Sequence, residues 1–580
     1  MHSDQLGNDS SLPPGSITSS DMAWNRTGNW RYLRPRFVRK FAPCSEGCPA
    51  GNDIEGMLVL AGQGRYGEAL SRLLEESPFP GVCGRVCYHP CESACNRNVL
   101  DTAVSIQAME RFVSEWRPVH EPVPGSDRSA RVAVVGAGPA GLTCAYHLRR
   151  LGYQVRVFEK ESTPGGMLRM GIPKYRLPRE VLDREIARIM DLGIELETSF
   201  RVGRDTSWDA LVAAWDAVFL GCGAHGTSAL NIPGEHHPGV SPGTSFLEAV
   251  NSGRDINVRG RVAVIGGGNT AIDCARAAIR LGSEPVVLYR RSREEMPAIE
   301  SEVDEALGEG VEIRYLTSPM AVQSSDEKIT GLECVRNRLA EPDRGGRAFP
   351  EPIEGSEFFV ECDAVITAVG EAVELKDLPG GLQTKHGVVA IDPWGKTSLD
   401  KVWAGGDAAT DPRMVVHAIG AGKRAALSIH ASLTGEDLDS IAGDIRIGFR
   451  GSFSMERYVK GSPPGAASNG EVVAPEQINL DHFEPITRTA ARERDPTERV
   501  QDFHEIQLGF DEEQASREAT RCFHCGACDR CGICRLFCPD FSIVLGEGAE
   551  TNILDEFHCK GCGICAQECP RSAIVMERER

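Results

Sequence analysis

The chain lacks the features of a membrane, secreted or nucleic-acid-binding protein. It has no run of about twenty apolar residues, so no spanning helix is expected. Basic residues are in deficit, and the net charge of −20 argues against nucleic acid or an anionic membrane as a partner, because both need a basic surface. The chain begins with a polar stretch and not with a signal peptide. We therefore expect a cytoplasmic protein that binds neither nucleic acid nor membrane.

Cysteine is scarce in the middle of the chain and concentrated towards both ends. Of 21 cysteines, six lie between Cys44 and Cys95, ten between Cys522 and Cys569, and five between these groups. A secreted disulfide protein of this size would distribute them more evenly. Clustered cysteines in a reducing compartment indicate metal binding instead.

Composition changes along the 580 residues predict several domains. A segment rich in proline and glycine, residues 117–130, reads as a boundary, and the stretch after it alternates strand and helix patterns as parallel α/β folds do. The expected parts are a polar leader and arm (1–40), a helical domain with the first cysteine group (41–120), an α/β core (130–435), a connector (436–510) and a domain with the second cysteine group (511–580).

The first nucleotide-binding pattern opens the α/β core. A β-branched strand runs into Gly136-Ala-Gly138-Pro-Ala-Gly141, which a helical pattern and a second strand ending at Glu159 follow. Such glycines permit a tight turn, close approach of a pyrophosphate and close packing of the helix. The pyrophosphate binds at the helix N-terminus, while the acid bonds a ribose hydroxyl. The sequence therefore predicts a dinucleotide site.

A second pattern, residues 266–271, lies in a similar unit that we expect to be inserted over about residues 255–370. Its second strand ends in Arg290 and Arg291 and not in an acid. Two guanidinium groups suit a ribose 2′-phosphate and favour NADP over NAD. The alternative is that they face solvent or bind the pyrophosphate. Two such folds indicate two nucleotides, most simply a bound flavin and a diffusing nicotinamide.

Several motifs together resemble the small subunit of glutamate synthase and its relatives, over roughly residues 40–435. They are Gly136–Gly141, "GIPKYRLP" (171–178), "GGGNTAIDCAR" (266–276), "YRRSREEMPA" (289–298) and "WAGGDA" (403–408). The resemblance implies FAD- and NAD(P)H-binding halves of the kind found in disulfide-reductase-like flavoproteins. Those enzymes carry a redox CxxC pair beside the flavin, and none exists between Cys95 and Cys522. Electrons are therefore expected to leave by another route.

We expect the cofactors to be held by glycine-rich loops, strand ends and one helix start. Segment 164–178 has glycines that let the backbone approach a ligand, Asp407 ends a strand, and the helix that starts near residue 414 points its positive end at the flavin. The candidates for FAD are Gly136, Gly138, Pro139, Ala140, Gly141, Glu159, Gly166, Arg176, Gly406, Asp407 and Val416, and those for NAD(P)H are Gly266, Gly268, Asn269, Thr270, Arg290 and Arg291. No side chain is nominated as catalytic, and His417 is expected to have a packing role rather than to donate a proton.

The first cysteine group has C-x3-C spacing, unlike the C-x2-C pairs common in zinc sites, and this favours iron–sulfur over zinc. Its members are Cys44, Cys48, Cys83, Cys87, Cys91 and Cys95. The segment resembles the cluster domain of the glutamate synthase small subunit, which holds two four-iron clusters. That family has a further cysteine pair upstream of the position of Cys44, where this chain reads "RPRFVRKFA".

We therefore expect one N-terminal [4Fe–4S] cluster, with two as the alternative. Cys48, Cys87 and Cys91 are the expected core ligands. The fourth ligand is Glu110, as a carboxylate is in some relatives, or one of Cys44 and Cys95. A surface helix residue is the alternative for Glu110.

The second cysteine group contains two bacterial ferredoxin runs, C-x2-C-x2-C-x3-C-P, in which the fourth cysteine of each run binds the other cluster. The expected ligand sets are Cys528, Cys531, Cys534 and Cys569 for one cluster, and Cys559, Cys562, Cys565 and Cys538 for the other. Cys522 and Cys525 have no place in this scheme. We expect them to be packing elements, with a spare thiol pair or ligands to another metal as alternatives.

The predicted fold is therefore multidomain: a helical Fe–S domain, an α/β flavoprotein core for FAD and NAD(P)H, and an α+β ferredoxin-like domain. The function expected is an NAD(P)H oxidoreductase subunit that passes electrons between NAD(P)(H), FAD, [4Fe–4S] clusters and a partner. The appended ferredoxin domain, which resembles subunits of 2-oxoacid:ferredoxin oxidoreductases, favours a 2-oxoacid oxidoreductase as that partner. The alternatives are a glutamine-dependent large subunit, a separate ferredoxin, or a non-enzymatic electron-transfer adaptor.

Overall fold

A computed structural model describes residues 26–117, 126–254, 256, 258–326, 328–342, 348–462, 470–545 and 551–579. The polar leader, residues 1–25, and most of the boundary segment, residues 118–125, lie outside this described part. None of the described helices is long and apolar enough to cross a membrane.

The N-terminal domain consists of short helices, several of which begin at proline. Pro43, Pro80 and Pro90 each occupy the first turn of a helix, where the missing N–H is not needed. Asp53 caps another helix by accepting a hydrogen bond of 3.0 Å from Gly56 N. The elements are β1 (Leu33–Phe37), α1 (Pro43–Gly47), α2 (Ile54–Gly62), α3 (Tyr66–Leu74), α4 (Pro80–Val86), α5 (Pro90–Ser93) and α6 (Ile106–Ser114).

The α/β core begins with a unit whose strands are short and apolar, as buried parallel strands are. Its elements up to the insertion are β2 (Arg131–Val135), α7 (Pro139–Arg150), β3 (Gln154–Phe158), α8 (Met167–Met170), α9 (Arg179–Met190), β4 (Glu195–Glu197), α10 (Trp208–Ala214), β5 (Ala217–Leu220) and β6 (Gly226–Thr227).

A second parallel unit is inserted after β6, and an antiparallel layer is attached to it. The elements are β7 (Val240–Pro242), α11 (Gly243–Ser252), β8 (Arg261–Ile265), α12 (Asn269–Arg280), β9 (Glu284–Leu288), α13 (Glu300–Gly308), β10 (Glu312–Arg314), β11 (Thr317–Ser325), β12 (Lys328–Pro342), β13 (Ala348–Pro352), β14 (Phe358–Glu361), β15 (Ala364–Thr367) and β16 (Glu371–Ala372). The parallel sheet has the order β10-β9-β8-β15-β7. Strand β16 pairs with β6, so the chain leaves and re-enters the first unit at one place.

The chain then completes the first unit by adding β19 (Val402–Ala404), so that its sheet has the order β19-β5-β2-β3-β4. The remaining elements are β17 (Thr384–Lys385), β18 (Val388–Val389), α14 (Val415–Thr434), α15 (Leu438–Ile445), β20 (Arg446–Ile447), β21 (Ser452–Phe453), α16 (Met455–Lys460), β22 (Arg492–Glu493), α17 (Pro496–Arg499), β23 (Gln507–Gly509), α18 (Glu512–Ala519), α19 (Ile533–Leu536), β24 (Ile543–Val544), β25 (Ile553–Leu554), α20 (Ile564–Gln567) and β26 (Ile574–Arg578).

The two ends of the chain pair with each other. Strand β1 lies antiparallel to β26, with Leu33 opposite Arg578 and Phe37 opposite Ile574. Arg31 and Glu579 form an ion pair beside this ladder. The basic stretch before the first cysteine group is therefore an extra strand of the C-terminal domain.

The N-terminal helical domain and the first α/β unit share one hydrophobic core, and helix α14 lies at their junction. Gly420 of α14 is required by close approach: a Cβ there would lie 2.4 Å from Pro49 O. Lys423, one turn further on, is buried and donates to Ala50 O at 2.6 Å and to Phe453 O at 2.8 Å. It also forms a buried ion pair with Glu76.

Lys423→Met is expected to lower the free energy of unfolding by about 3–5 kcal/mol, because the charge of Glu76 stays buried without its partner. The control is Lys460→Met, since Lys460 pairs with Glu75 at 2.7 Å on the surface and an exposed pair contributes about 0–1 kcal/mol. Denaturant titration followed by tryptophan fluorescence measures both values. Equal, small losses would contradict a structural role for the buried pair.

Candidate functional site

One long cleft lies between the two α/β units, and eleven of the residues predicted to bind a cofactor line it. They are Gly136, Gly138, Pro139, Ala140, Glu159, Gly166, Arg176, Asn269, Thr270, Gly406 and Asp407. Six others do not line it: Gly141, Gly266, Gly268, Arg290, Arg291 and Val416. Loops that are more than a hundred residues apart in the sequence therefore face one common space.

The first glycine loop joins β2 to α7 and is braced by Glu159. The buried Glu159 carboxylate accepts hydrogen bonds from Ala137 N at 2.7 Å and from Glu161 N at 2.9 Å. Burial raises the pKa of Glu159 above its usual value, and the two N–H donors oppose this. At Gly138 a Cβ would meet no atom within 4 Å, so the loop leaves open space beside its backbone. This space is what a bound pyrophosphate requires.

The far wall of the cleft comes from the segment before α14. Gly406 and Asp407 follow β19, and the helix begins at Val415 with Met414 as its N-cap. The buried Val416 side chain lies behind this wall, in the core. Burial raises the pKa of Asp407 to about 6, while Arg413 opposes the shift.

The second glycine loop joins β8 to α12. Asn269 Oδ1 accepts a hydrogen bond of 2.9 Å from Ile299 N, and Thr270 Oγ1 donates to Glu371 Oε1 at 3.2 Å. Gly268 caps the helix, and a Cβ at this position would meet no atom within 4 Å. This loop therefore has the same open approach as the first.

The two arginines after β9 have different environments. Arg291 is buried, donates from Nε to Ala348 O at 2.7 Å and lies 3.4 Å from a Glu295 carboxylate oxygen. Arg290 is exposed. Because the two arginines are adjacent in the sequence, sequence analysis could not distinguish them. In the structure one is exposed and the other is buried.

Arg176 lies in the wall between the two units. Its guanidinium forms ion pairs with Asp273 at 2.8 Å and Glu302 at 2.9 Å, both from the second unit. Through these two ion pairs, Arg176 joins the first α/β unit to the second.

Sequence reasoning missed several charged residues that line the cleft, and Lys160, Glu371 and Arg413 are three of them. Their positions carried a signal, because each follows the carboxyl end of a strand or precedes the helix at the cleft wall. Ligands of open α/β sheets bind at those edges.

The N-terminal helical domain reaches the cleft through Val86, which lines it directly before Cys87. Next in the chain, Tyr88 Oη lies 2.8 Å from Nε2 of His417 on α14, and the two rings stack. Burial lowers the pKa of His417. The cleft and the first cysteine group are therefore neighbours.

Glu110 lies close to four buried cysteines. Burial raises the pKa of the thiols of Cys48, Cys83, Cys87 and Cys91, and the nearby Glu110 carboxylate adds to each shift. Asn52 Nδ2 donates to Glu110 Oε1 at 3.3 Å, and burial raises the pKa of Glu110 well above its usual value. Glu110 is thus a buried residue and not a surface helix residue.

The six N-terminal cysteines do not form one group. Cys44 and Cys95 line a separate cavity, together with Cys522 and Cys525. Cys83, which the sequence analysis did not nominate, is buried on α4, near the thiol of Cys87.

In the ferredoxin-like domain, one cavity is lined by Cys538, Cys559, Cys562 and Cys565. Around Cys534, the neighbouring thiols are those of Cys528, Cys531 and Cys569. Across the described residues, no three His, Cys, Asp or Glu side chains are arranged to hold a single metal ion. A four-iron cluster is larger than one ion and holds its thiolates farther apart.

The α/β core matches the family model "pyridine nucleotide-disulphide oxidoreductase" over residues 130–422. The chain belongs to this family. Residues 39–121 match "dihydropyrimidine dehydrogenase domain II, 4Fe-4S cluster", and residues 527–574 match "4Fe-4S dicluster domain". The multidomain fold, with Fe–S domains on both sides of an FAD/NAD(P)-type core, is therefore confirmed at this level.

Three relatives extend the comparison. The chain is 38% identical to the NADP(+)-dependent formate dehydrogenase subunit beta of Moorella thermoacetica, over 83% of this chain and 70% of that one. It is 37% identical to the NADPH-Fe(3+) oxidoreductase subunit beta of Geobacter sulfurreducens, over 84% of this chain and 76% of that one. It is 37% identical to the glutamate synthase [NADPH] small chain of Escherichia coli, over 66% of this chain and 87% of that one.

The resemblance to the glutamate synthase small subunit is thus confirmed. The protein is an FAD-dependent NAD(P)H oxidoreductase with [4Fe–4S] domains at both ends of its core. The expectations of FAD, NAD(P)H and [4Fe–4S] clusters as cofactors are confirmed at the level of these domains.

Asp407→Asn is expected to change how the stability of the flavin-free protein depends on pH. The folded-state pKa of about 6 lies above the unfolded value, so the penalty for the buried charge is absent below about pH 4 and complete above about pH 6. The wild type should lose up to about 3 kcal/mol relative to the variant as pH rises through this window. Denaturant titrations at pH 4, 5, 6 and 7 measure the difference. A constant difference would contradict it.

Proposed function

We propose that this oxidoreductase is a subunit that exchanges electrons between NADP(H) and a partner redox enzyme. The observation that carries the proposal is that the cofactor cleft reaches the first cysteine group at Val86, which lines the cleft and directly precedes Cys87 in the chain. A non-enzymatic adaptor would not need a cleft lined by both dinucleotide loops.

We assign FAD to the first glycine loop. The Gly136–Gly141 loop and the N-terminus of α7 suit its pyrophosphate, and Glu159 suits a ribose hydroxyl. Asp407 and the N-terminus of α14 face the same cleft. FAD supplies hydride exchange with the nicotinamide and single-electron exchange with iron–sulfur clusters. The chain binds and orients it, while the apolar cleft wall excludes water.

We assign NADP(H) to the second loop, residues 266–270, and its 2′-phosphate to Arg290. The support is the difference in exposure between the two arginines: Arg290 is exposed, whereas Arg291 is buried. Arg291 would then position the turn that carries Arg290. Arg176 would hold the two nucleotide-binding units together through Asp273.

For the clusters, we assign Cys48, Cys87, Cys91 and Glu110 to the one nearest the cleft. The ferredoxin-like domain would hold two more, on Cys528, Cys531, Cys534 and Cys569 and on Cys559, Cys562, Cys565 and Cys538. Crossed ligand sets of this kind are usual in two-cluster ferredoxins.

The partner is proposed to be a low-potential oxidoreductase of the formate or 2-oxoacid class, and not a glutamine-dependent subunit. Two relatives that match 83% and 84% of this chain are beta subunits named for NADP(+)-dependent formate dehydrogenase and NADPH-Fe(3+) oxidoreductase. The glutamate synthase relative covers 66% of the chain. Anaerobic co-purification tests this, and a glutamine-using large subunit in the complex would overturn it.

Arg290→Ser is expected to raise KM for NADPH by about ten- to one-hundred-fold, because a hydrogen bond to a charged group contributes about 1.5–3 kcal/mol. KM for NADH should stay the same, since NADH has no 2′-phosphate. Steady-state reduction of a dye measures both. Arg254→Ser is the control, because this exposed arginine pairs with Glu248 on α11. Equal changes for both nucleotides would refute the assignment.

Glu110→Ala is expected to remove about four iron atoms per chain, because a four-iron cluster loses one of its ligands. Glu110→Cys should keep the iron and change the EPR spectrum. Glu115→Ala, on the surface end of the same helix, is the control. If Glu110→Ala keeps the wild-type iron content and spectrum, Glu110 is not a ligand and Cys83 becomes the candidate.

A further inference from the structure

Four cysteines from opposite ends of the chain line one cavity. Cys44 and Cys95 belong to the N-terminal helical domain, whereas Cys522 and Cys525 lie directly after α18. We propose that these four thiols hold an additional [4Fe–4S] cluster, which bridges the N-terminal helical domain and the ferredoxin-like domain. The cluster goes beyond the three assigned above. Its role as an electron link rests on the proposed function, but its existence does not.

A cavity elsewhere in the chain serves as an internal standard. The ferredoxin-like cavity that contains Cys538 has four cysteines and a volume of about 20 Å³. The cavity that contains Cys44 also has four cysteines and a volume of about 20 Å³. The two spaces match in ligand number and in size.

The walls of the proposed site are mainly apolar and buried. Leu58, Val104, Ile106 and Phe523 contribute side chains that are 1–2% exposed. A dry surround of this kind is typical of iron–sulfur sites, where solvent access and hydrogen bonds to sulfur set the reduction potential. A structural disulfide or a packing role would not require the remaining empty space.

Two sulfur atoms in the cavity accept hydrogen bonds. Asn96 Nδ2 donates to Cys525 Sγ at 3.6 Å, just as Asn552 Nδ2 donates to Cys534 Sγ at 3.3 Å in the ferredoxin-like domain. Donors aimed at sulfur stabilise the thiolate that binds iron.

The second of these sulfur atoms belongs to Cys522. His524 N donates to Cys522 Sγ at 3.3 Å, and His89 N donates to Cys87 Sγ at 3.4 Å with the same two-residue offset. The proposed site thus repeats local features seen at other predicted cluster cysteines of this chain.

The segment that carries Cys522 is fixed to the N-terminal domain by buried charges. Arg521 is fully buried and donates to Ala103 O and to an Asp101 carboxylate oxygen, each at 3.0 Å. Glu518, also fully buried, accepts from Ser105 N at 2.7 Å. Buried charges with this many partners specify one docking geometry.

Further contacts hold the segment on either side of the cavity. Arg97 donates to Arg521 O at 2.6 Å, and its guanidinium carbon lies 5.1 Å from the centre of the Phe523 ring. Gly526 has a φ of 80°, and a Cβ there would lie 2.8 Å from Lys40. Only glycine allows the chain to turn so close to the N-terminal arm.

The proposal also explains the cysteine pair that is missing upstream of Cys44. The chain supplies a pair from its other end, so the N-terminal domain can hold two clusters. The new site is next to both neighbouring sites in the sequence, since Cys44 lies in α1 with Cys48 directly after this helix, and Cys525 precedes Cys528 by three residues. On assembly each of the four thiols loses a proton as its sulfur binds iron.

The test compares iron, acid-labile sulfide and flavin in anaerobically purified full-length proteins. The wild type should contain about 16 iron atoms per flavin, as four clusters require. Cys522→Ala/Cys525→Ala and Cys44→Ala/Cys95→Ala should each lose about a quarter of the iron and the same EPR signal after dithionite reduction. Flavin content should stay at one per chain, which reports that the core is folded.

Cys334→Ala is the matched control, because this buried thiol lies in the inserted unit, away from the cysteine groups. It should keep all iron. If a double variant does not fold, alkylation of the wild type gives the answer: Cys522 and Cys525 should resist iodoacetamide until a chelator and an oxidant remove the iron. Wild-type protein with about 12 iron atoms, or with both thiols freely alkylated, would overturn the proposal.

Three other outcomes would also overturn it. One zinc ion lost in place of iron would make the site mononuclear, and a disulfide found by mass spectrometry would make it a covalent link. Loss of iron in the Cys44/Cys95 variant alone would confine the ligands to the N-terminal domain. None of these readouts uses NADPH, so failure of flavin reduction by NADPH would refute the proposed function and leave the cluster result standing.

Discussion

The buried ion pair between Lys423 and Glu76 fixes the relation between the cofactor cleft and the cysteine-rich helical domain. Glu76 also accepts hydrogen bonds from Ser454 Oγ at 2.6 Å and Met455 N at 2.8 Å, so three separate stretches of chain meet at one carboxylate. A charge buried this deeply is tolerated only with its partners in place. The helical domain therefore cannot shift on the core without breaking the whole set of contacts.

Helix α14 performs two tasks at this junction. Its N-terminus faces the cleft near Asp407, while its middle turns pack against the helical domain. His417 and Tyr88 contact each other across the same boundary. One helix thus connects the wall of the cleft to the domain of the first cysteines, and a rigid connection suits an electron-transfer protein, which must hold its centres at fixed separations.

Several features were predictable because they depend on residues close together in sequence. The Gly136 and Gly266 loops were found from strand, glycine and helix spacing, and the ferredoxin runs from their C-x2-C-x2-C-x3-C-P spacing. The family and its cofactors followed from these local patterns. The pairing of β1 with β26 was not predictable, since nothing in the arm indicates a partner more than five hundred residues away.

The sequence by itself determined the kinds of site: two dinucleotide loops, a ferredoxin pair and an additional group of cysteines. Only the tertiary structure decided which residues come together in each site. It places Glu110 near Cys48, and it places Cys44 and Cys525 in the wall of one cavity. Spacing defines a ligand set only when one short segment supplies it. A site built from both ends of the chain depends on how buried residues such as Arg521 dock the two domains.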